Sequence, residues 1–127
     1  TVTTGCAPLL QKGTDPCVVN ITTSSVRRAN ANSIAYGSSK GAVDSMTRGL
    51  AMFYAPVIRV NSIAPGTIDT PFHEKVTAPE AFKKSIEVIP LRRSGTAQDV
   101  AHAIKFAIEN TFITGSAIDI NGGQEIR

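Results

Sequence analysis

One continuous segment carries most of the information about how this chain folds: Val57-Ile58-Arg59-Val60-Asn61-Ser62-Ile63-Ala64-Pro65-Gly66. Its first part is mostly apolar and β-branched, which predicts a buried strand over residues 57–63. Alanine, proline and glycine follow directly, and they predict the loop into which that strand runs. Two further runs of the same kind, residues 17–21 and 115–123, predict one strand before this segment and one after it.

Helical patterns separate the three predicted strands. They cover residues 33–54, 79–88 and 97–108. Pro56 ends the first of them, and Thr96 is the candidate cap of the last. The first residues lack a helix-capping signal, whereas Gly13 follows a pattern that is typical of a helix end. We therefore expect the sequence to begin within a helix. Strands that alternate with helices favour parallel pairing through right-handed crossovers, so the sequence predicts an α/β fold.

Length and composition restrict the chain to one soluble domain. Its 127 residues are 42% hydrophobic and 18% charged, which is typical of a globular protein, and no apolar run is long enough to cross a bilayer. The net charge of +3 comes from 13 basic and 10 acidic residues scattered along the chain, so we expect no nucleic-acid and no membrane partner. A basic binding module with salt-dependent affinity is the alternative that this charge leaves open.

The two cysteines, Cys6 and Cys17, have no metal-ligand spacing, and His73 and His102 lie far from them in sequence. The sequence therefore predicts neither a zinc site nor a disulfide framework. No secretory leader opens the chain, so we expect a cytoplasmic setting with reduced thiols.

The long predicted helix carries a tyrosine and a lysine one turn apart. On a helical wheel, Tyr36 falls on the same side as Val43 and Leu50, which predicts that its side chain is buried. Lys40 falls at the edge of that face, and its positive charge beside the phenol would favour the phenolate, as a general acid/base requires. The alternative is structural: the lysine extends past an ordinary core tyrosine to reach solvent.

Three loops follow the carboxyl ends of the predicted strands, which is where parallel sheets bind their ligands. The first contains the hydroxyl cluster Thr22-Thr23-Ser24-Ser25, which could donate a hydrogen bond to a carbonyl oxygen. The second covers residues 64–70, and the third covers residues 121–124. Residues 67–93, which contain three prolines, are expected to pass over the site.

Four ordered motifs resemble those of the short-chain dehydrogenase/reductase family. They are Val18-Val19-Asn20-Ile21 with the hydroxyl cluster behind it, Tyr36-Gly37-Ser38-Ser39-Lys40-Gly41-Ala42-Val43, Ile58-Arg59-Val60-Asn61-Ser62-Ile63-Ala64-Pro65-Gly66, and Ile113-Thr114-Gly115 through Asp119-Ile120-Asn121-Gly122-Gly123. The resemblance implies a Rossmann-like doubly wound parallel sheet, of which this chain holds the last three strands. It also implies an oxidoreductase that uses NAD or NADP to exchange a hydride with a small carbonyl or alcohol compound, and it is closest to reductases that act on β-ketoacyl carriers, sugars or steroids.

The resemblance further implies roles for individual residues. Tyr36 would be the general acid/base, and Lys40 would assist it and bind the nicotinamide ribose, so both would contact the cofactor. The nicotinamide would lie against four residues of the second loop: Pro65, Gly66, Ile68 and Thr70. Thr23 stands where the family has the serine that polarises the substrate carbonyl, with Ser24 as the alternative if the loop is shifted by one residue.

The sequence lacks the glycine-rich strand-turn-helix with which the family begins. We therefore expect residues 1–127 to be the carboxyl-terminal part of one Rossmann-like oxidoreductase domain, with the amino-terminal dinucleotide-binding part absent. Alone, this part would be inactive without the pyrophosphate site, and poorly soluble because its first strand has an open edge. The alternative is a truncated pseudoenzyme or scaffold that keeps the fold without hydride transfer. By resemblance, the protein is a homo-oligomer, either a dimer or a tetramer.

Overall fold

The computed structural model describes residues 1–27 and 33–126, apart from the side chain of Glu74. Along the chain, the elements are α1 (Val2–Leu10), β1 (Cys17–Ile21), a 3₁₀ turn (Ser24–Arg27), α2 (Ile34–Tyr54), β2 (Arg59–Pro65), α3 (Pro71–Val76), α4 (Pro79–Glu87), α5 (Ala97–Glu109) and β3 (Ala117–Ile120). The three strands form one parallel sheet in the order β1-β2-β3. The predicted α/β fold with parallel pairing is therefore confirmed.

Helices cover both faces of the sheet. Successive strand residues point to opposite sides, so β2 contributes apolar side chains to a core on each face. On one face, Val60 of β2 packs with Ala51 of α2. On the other face, Ile63 of β2 packs with Ala103 and Ala107 of α5. Among the described residues, none of the helices has the length and the hydropathy that a membrane span needs.

The second strand is displaced along the chain from its predicted position. β2 begins at Arg59 rather than Val57 and continues through Pro65. The backbone N–H groups of Val57 and Ile58 both donate to the carbonyl of Tyr54, at 2.9 and 3.1 Å. These residues close the last turn of α2, so they do not join the sheet although their side chains are typical of strands.

Three other elements also differ from the predicted ones. β3 is limited to Ala117–Ile120, because Gly115 and Gly122, at φ values of 71° and 62°, turn the chain on either side of it. The sequence does not predict α3, because six residues are too few for a recognisable helical period and Pro71 in its first turn looks like a break. α1 follows Thr1, whose side chain accepts a hydrogen bond from the Thr4 N–H at 3.2 Å, a cap that the sequence pattern did not predict.

β2 carries a buried arginine that ties the sheet to the end of α5. Arg59 is 8% exposed, its Nη2 donates to the Ile108 carbonyl at 2.8 Å, and its Nη1 donates to the carbonyls of Ala107 and Asn110 at 2.9 and 3.0 Å. Carbonyls at the end of a helix have no intrahelical N–H partner. The positive charge also lies at the negative end of the helix dipole. Arg59 therefore holds α5 against the sheet.

α5 begins with a capping box. The Thr96 side chain accepts from the Asp99 N–H at 3.2 Å, and the Asp99 carboxylate accepts from the Thr96 N–H at 2.8 Å. Arg93 also donates to Asp99 Oδ2, at 2.9 Å. The Arg93 guanidinium, and then the hydrogen bonds from Thr96, hold the pKa of Asp99 well below its usual range.

Asp99→Asn is expected to lower the melting temperature near neutral pH, because the variant loses the charge that Arg93 and the helix start stabilise. A carboxyl group whose pKa is depressed on folding stabilises the protein above its unfolded pKa, about 3.9, and that contribution is lost as the pH falls. The difference in melting temperature between wild type and variant should therefore shrink below about pH 4.

Thermal unfolding across this pH range checks the prediction. Glu109→Gln on the same helix is the control, because the Glu109 carboxylate pairs only loosely with Lys105, at 3.6 Å between exposed side chains. Its effect on the melting temperature should be small. A difference between wild type and Asp99→Asn that stays constant with pH would contradict the role assigned to the carboxylate.

Candidate active site

A cleft of about 660 Å³ opens beyond the carboxyl ends of β1 and β2. Its lining comes from the end of β1 and the hydroxyl cluster behind it, the first turns of α2, the loop after β2, α3, and Gln124 beyond β3. The predicted convergence of three loops at the carboxyl ends of the strands is therefore confirmed. Gln124 lies in the third of these loops but was not singled out from the sequence.

Tyr36 lines this cleft from the first turn of α2. The prediction that its side chain is buried is wrong, since it is 44% exposed. The helix face is nevertheless the predicted one, because the same stripe is buried farther along, at Thr47, Ala51 and Tyr54. At Tyr36 the helix has passed the end of the sheet, so the stripe faces the cleft there instead of the core. The phenol is accessible to a ligand.

Lys40 joins α2 to the end of β1. Its Nζ donates to the Ile21 carbonyl at 2.9 Å, and both residues line the cleft. The predicted position at the edge of the buried face is confirmed. No further partner of Nζ is found within residues 1–27 and 33–126, and an ammonium group has three N–H donors. Two donors therefore remain for a ligand in the cleft.

The hydroxyl cluster after β1 divides between the cleft and the core. Thr23 is only 6% exposed but lines the cleft, where its Oγ1 donates to the Pro65 carbonyl at 3.3 Å and accepts from the Ser25 N–H at 3.3 Å. Thr22 Oγ1 donates to the Ile63 carbonyl at 3.1 Å, which ties β1 to β2. Ser24 is fully buried and is not among the residues that line the cleft. Of Thr23 and Ser24, the structure therefore brings only Thr23 to the cleft.

The end of β2 and the loop after it form one wall of the cleft. All four residues predicted there line it: Pro65, Gly66, Ile68 and Thr70. The Gly66 N–H donates to the Ile120 carbonyl at 2.9 Å, and the Thr67 N–H donates to Gln124 Oε1 at 3.2 Å. These bonds fix the loop against the end of β3 and the chain beyond it.

Gly66→Ala is expected to destabilise the protein by about 1–3 kcal/mol. A Cβ at this position would lie 2.7 Å from Gln124 Oε1 and 2.8 and 2.9 Å from Cβ and Cα of Asn121. The Asn121 backbone cannot yield as the end of a flexible side chain can, so the loop would have to move.

Gly49→Ala on α2 is the matched control, because a Cβ there meets nothing within 4 Å. Alanine in the helix should raise the free energy of unfolding by about 0.5–1 kcal/mol. Urea unfolding of both variants measures the two changes. Equal changes in the two variants would show that the close approach of Asn121 to Gly66 has no energetic consequence.

α3 forms a further wall of the cleft, within the segment 67–93 that was expected to pass over the site, although the sequence did not predict the helix itself. Phe72, His73 and Val76 line the cleft from this short helix. From the sequence, His73 is weighed as a substrate contact against a solvated loop histidine, and the structure brings it to the cleft; Phe72 and Val76 were not singled out. Within the part of the chain that the structure describes, no group of three or more His, Cys, Asp or Glu side chains could hold a metal ion.

Comparison with known proteins assigns the chain to a family. A sequence profile described as enoyl-(acyl carrier protein) reductase matches residues 1–125. The structure of a short-chain type dehydrogenase/reductase from Mycobacterium ulcerans superposes with a TM-score of 0.89, at 31% identity, over 99% of this chain and 47% of that one. The chain belongs to the short-chain dehydrogenase/reductase family. Its parallel sheet with helices on both faces is accordingly Rossmann-like, as the resemblance implied.

Two other members of the short-chain dehydrogenase/reductase family are similar over nearly the whole chain. The putative ketoacyl reductase 2 of the granaticin polyketide synthase of Streptomyces violaceoruber is 32% identical over 125 residues, which are 98% of this chain and 50% of that protein. The structure of a putative 2-deoxy-d-gluconate 3-dehydrogenase from Agrobacterium tumefaciens with bound NADP has a TM-score of 0.87 and 32% identity, and covers 100% of this chain and 53% of that one. The chain spans about half the length of the relatives that it matches.

Proposed function

We propose that residues 1–127 are the carboxyl-terminal part of an NAD- or NADP-dependent oxidoreductase that exchanges a hydride with a small carbonyl or alcohol substrate. The observation that carries this is the meeting of Tyr36, Lys40, Thr23 and the loop of residues 65–70 around one cleft. Segments distant in sequence thereby supply a proton donor, a cation and a hydroxyl to the same place. The bound NADP of the Agrobacterium tumefaciens relative supports the cofactor class.

Tyr36 is the proposed general acid/base. Its phenol is exposed in the cleft, so its hydroxyl can meet the oxygen of a bound substrate and exchange a proton with it. Thr23 is the group proposed to polarise the same oxygen. Its hydroxyl now donates to the Pro65 carbonyl, and rotation toward the substrate would stabilise negative charge as it develops there.

The cleft fits the nicotinamide half of the cofactor. Pro65, Gly66, Ile68 and Thr70 would lie against the ring, and the two remaining N–H donors of Lys40 would bind the ribose hydroxyls, next to Tyr36. When bound, the nicotinamide supplies or accepts the hydride. The pyrophosphate needs a glycine-rich turn at a helix N-terminus, which this sequence does not contain. That half would be bound by residues outside 1–127.

We further propose that the protein is a homo-oligomer in the cytoplasm. Met52 and Phe53, near the end of α2, are 83% and 77% exposed, and a second copy of the protein would cover them. Cys6 and Cys17 are both free thiols, as a reducing compartment favours.

Hydride transfer is measured directly to test the function. The protein that carries this chain is incubated with NADH or NADPH and a panel of ketones that includes a β-ketoacyl thioester, a keto sugar and a ketosteroid. Oxidation of the reduced cofactor that depends on at least one ketone is expected. Cofactor binding without oxidation of any ketone in the panel would favour the scaffold alternative. The observation that supports this alternative is that the Thr23 hydroxyl donates to the Pro65 carbonyl and is therefore not directed at a substrate.

A further inference from the structure

The wall of the cleft that α3 forms contains one hydrogen-bonding ring between apolar side chains. α3 contributes Phe72, His73 and Val76, of which only His73 can donate or accept a hydrogen bond through its side chain. His73 is half-buried. None of the roles proposed for the cofactor or for proton transfer uses it.

The His73 ring is held by three neighbours. Its centroid lies 5.7 Å from that of Phe72 and 4.9 Å from that of Phe82 on α4. Its Nδ1 forms a hydrogen bond with Thr77 Oγ1 at 3.1 Å. These contacts restrict the rotation of the ring before any ligand binds, so a ligand would not have to immobilise it.

The other ring nitrogen, Nε2, has no hydrogen-bond partner among the side chains that the structure describes. Thr77, which engages Nδ1, does not line the cleft, whereas His73 does. Nε2 is therefore the ring atom that remains for a ligand. A hydroxyl can donate or accept, so Thr77 is compatible with either neutral tautomer, and Nε2 can accept or donate a hydrogen bond.

We infer that His73 selects substrates that carry a second oxygen function, a hydroxyl or a carboxylate, remote from the reacting carbonyl. This rests on the proposed function, since it places the reacting carbonyl beside Tyr36. Tyr36 belongs to α2 and His73 to α3, so two walls of one cleft each present a hydrogen-bonding group. Phe72 and Val76, beside the imidazole, contact the apolar carbon atoms of such a substrate.

Three substitutions separate the functions of the ring. His73→Phe keeps the aromatic contacts with Phe72 and Phe82 but removes both nitrogens. His73→Asn places an amide near the position of Nδ1, so it keeps a partner for Thr77 without replacing Nε2. His73→Gln places an amide near the position of Nε2, and it should restore recognition of the remote oxygen.

The variants are compared in the whole protein with three methyl ketones that have the same number of carbon atoms. Methyl propyl ketone ends in a methyl group, acetopropyl alcohol ends in a hydroxymethyl group, and levulinate ends in a carboxylate. We expect His73→Phe to raise KM for the two oxygenated ketones about tenfold, as the loss of one hydrogen bond would, and to change kcat and the KM of methyl propyl ketone less than about twofold. His73→Gln should recover most of the loss, and His73→Asn should recover none.

Equal changes in KM for all three ketones would overturn the inference, because they would show a purely structural role. Equal recovery by His73→Asn and His73→Gln would overturn it too. A wild-type protein that reduces none of the three would count against the proposed function instead. Dissociation constants of the same three compounds, measured by ligand-detected NMR on the same variants, then decide the role of His73 by the same criteria.

Discussion

Tyr36→Phe is expected to lower kcat for ketone reduction about a thousandfold, within the range that general acid/base groups contribute. The substitution removes the hydroxyl that exchanges the proton but keeps the aromatic ring at the start of α2. The dissociation constant of the reduced cofactor should therefore change far less than kcat, by about tenfold at most, since at most one hydrogen bond to it is lost. Steady-state kinetics together with a cofactor titration separate the two effects.

Tyr54→Phe provides the matched control for this substitution. Tyr54 lies on the same helical stripe but is buried in the core and does not line the cleft. Loss of the Tyr54 hydroxyl should affect the free energy of unfolding and leave kcat nearly unchanged. If Tyr36→Phe retains more than about a tenth of the wild-type kcat, Tyr36 is not the general acid/base, because such groups contribute at least about a hundredfold.

Arg59→Leu is expected to lower the free energy of unfolding by about 3 kcal/mol or more. The guanidinium donates to the carbonyls of Ala107, Ile108 and Asn110, and hydrogen bonds from a charged donor contribute about 1.5–3 kcal/mol each. Leucine would leave the buried carbonyl of Ala107 and the part-buried carbonyls of Ile108 and Asn110 without this partner. The end of α5 should then separate from the sheet. Urea unfolding followed by circular dichroism measures the change.

Two further arginine variants sharpen this experiment. Arg48→Leu on α2 removes an exposed guanidinium whose partner is Asp44 one turn away, and it should cost no more than about 0.5 kcal/mol. Arg59→Lys keeps the charge at the end of α5 but not the planar fork, so it should fall between Arg59→Leu and the wild type. An Arg59→Leu protein within about 1 kcal/mol of the wild type would mean that the carbonyls find other partners.

Local sequence patterns predict the framework of the molecule well. β1 has the predicted bounds, and α2 differs by a single residue at its start, because a long helical period and a compact β-branched run are each resolved within a few residues. The convergence of the three loops follows from parallel pairing, because the carboxyl ends of parallel strands lie at the same edge of the sheet. Lys40 and residues 65–70, to which the resemblance assigns contacts with the cofactor, line one cleft in the structure.

The differences arise where a residue's environment depends on another element. The periodicity of α2 correctly identifies the stripe that holds Tyr36, but it contains no information about where the sheet beneath it ends. Arg59 looks like an exposed strand residue until the end of α5 is packed against it. His73 and its neighbours belong to a helix too short to be recognised, so neither the aromatic contacts nor the bond to Thr77 could be inferred from the sequence.

The stripe on α2 lies in the core at one end of the helix and in the cleft at the other, and the helix between them is rigid. Thr47 and Ala51 are buried in the core, while Tyr36 lies near the start of the same helix, about three turns away from Thr47. A packing change beneath Thr47 or Ala51 that slightly rotates α2 about its axis would also move the phenol oxygen of Tyr36, without any unfolding. Variants that change the side-chain volume at Thr47 or Ala51 would thus lose turnover through the displaced phenol as well as stability, whereas Tyr54→Phe, which keeps its ring, would leave the position of α2 unchanged.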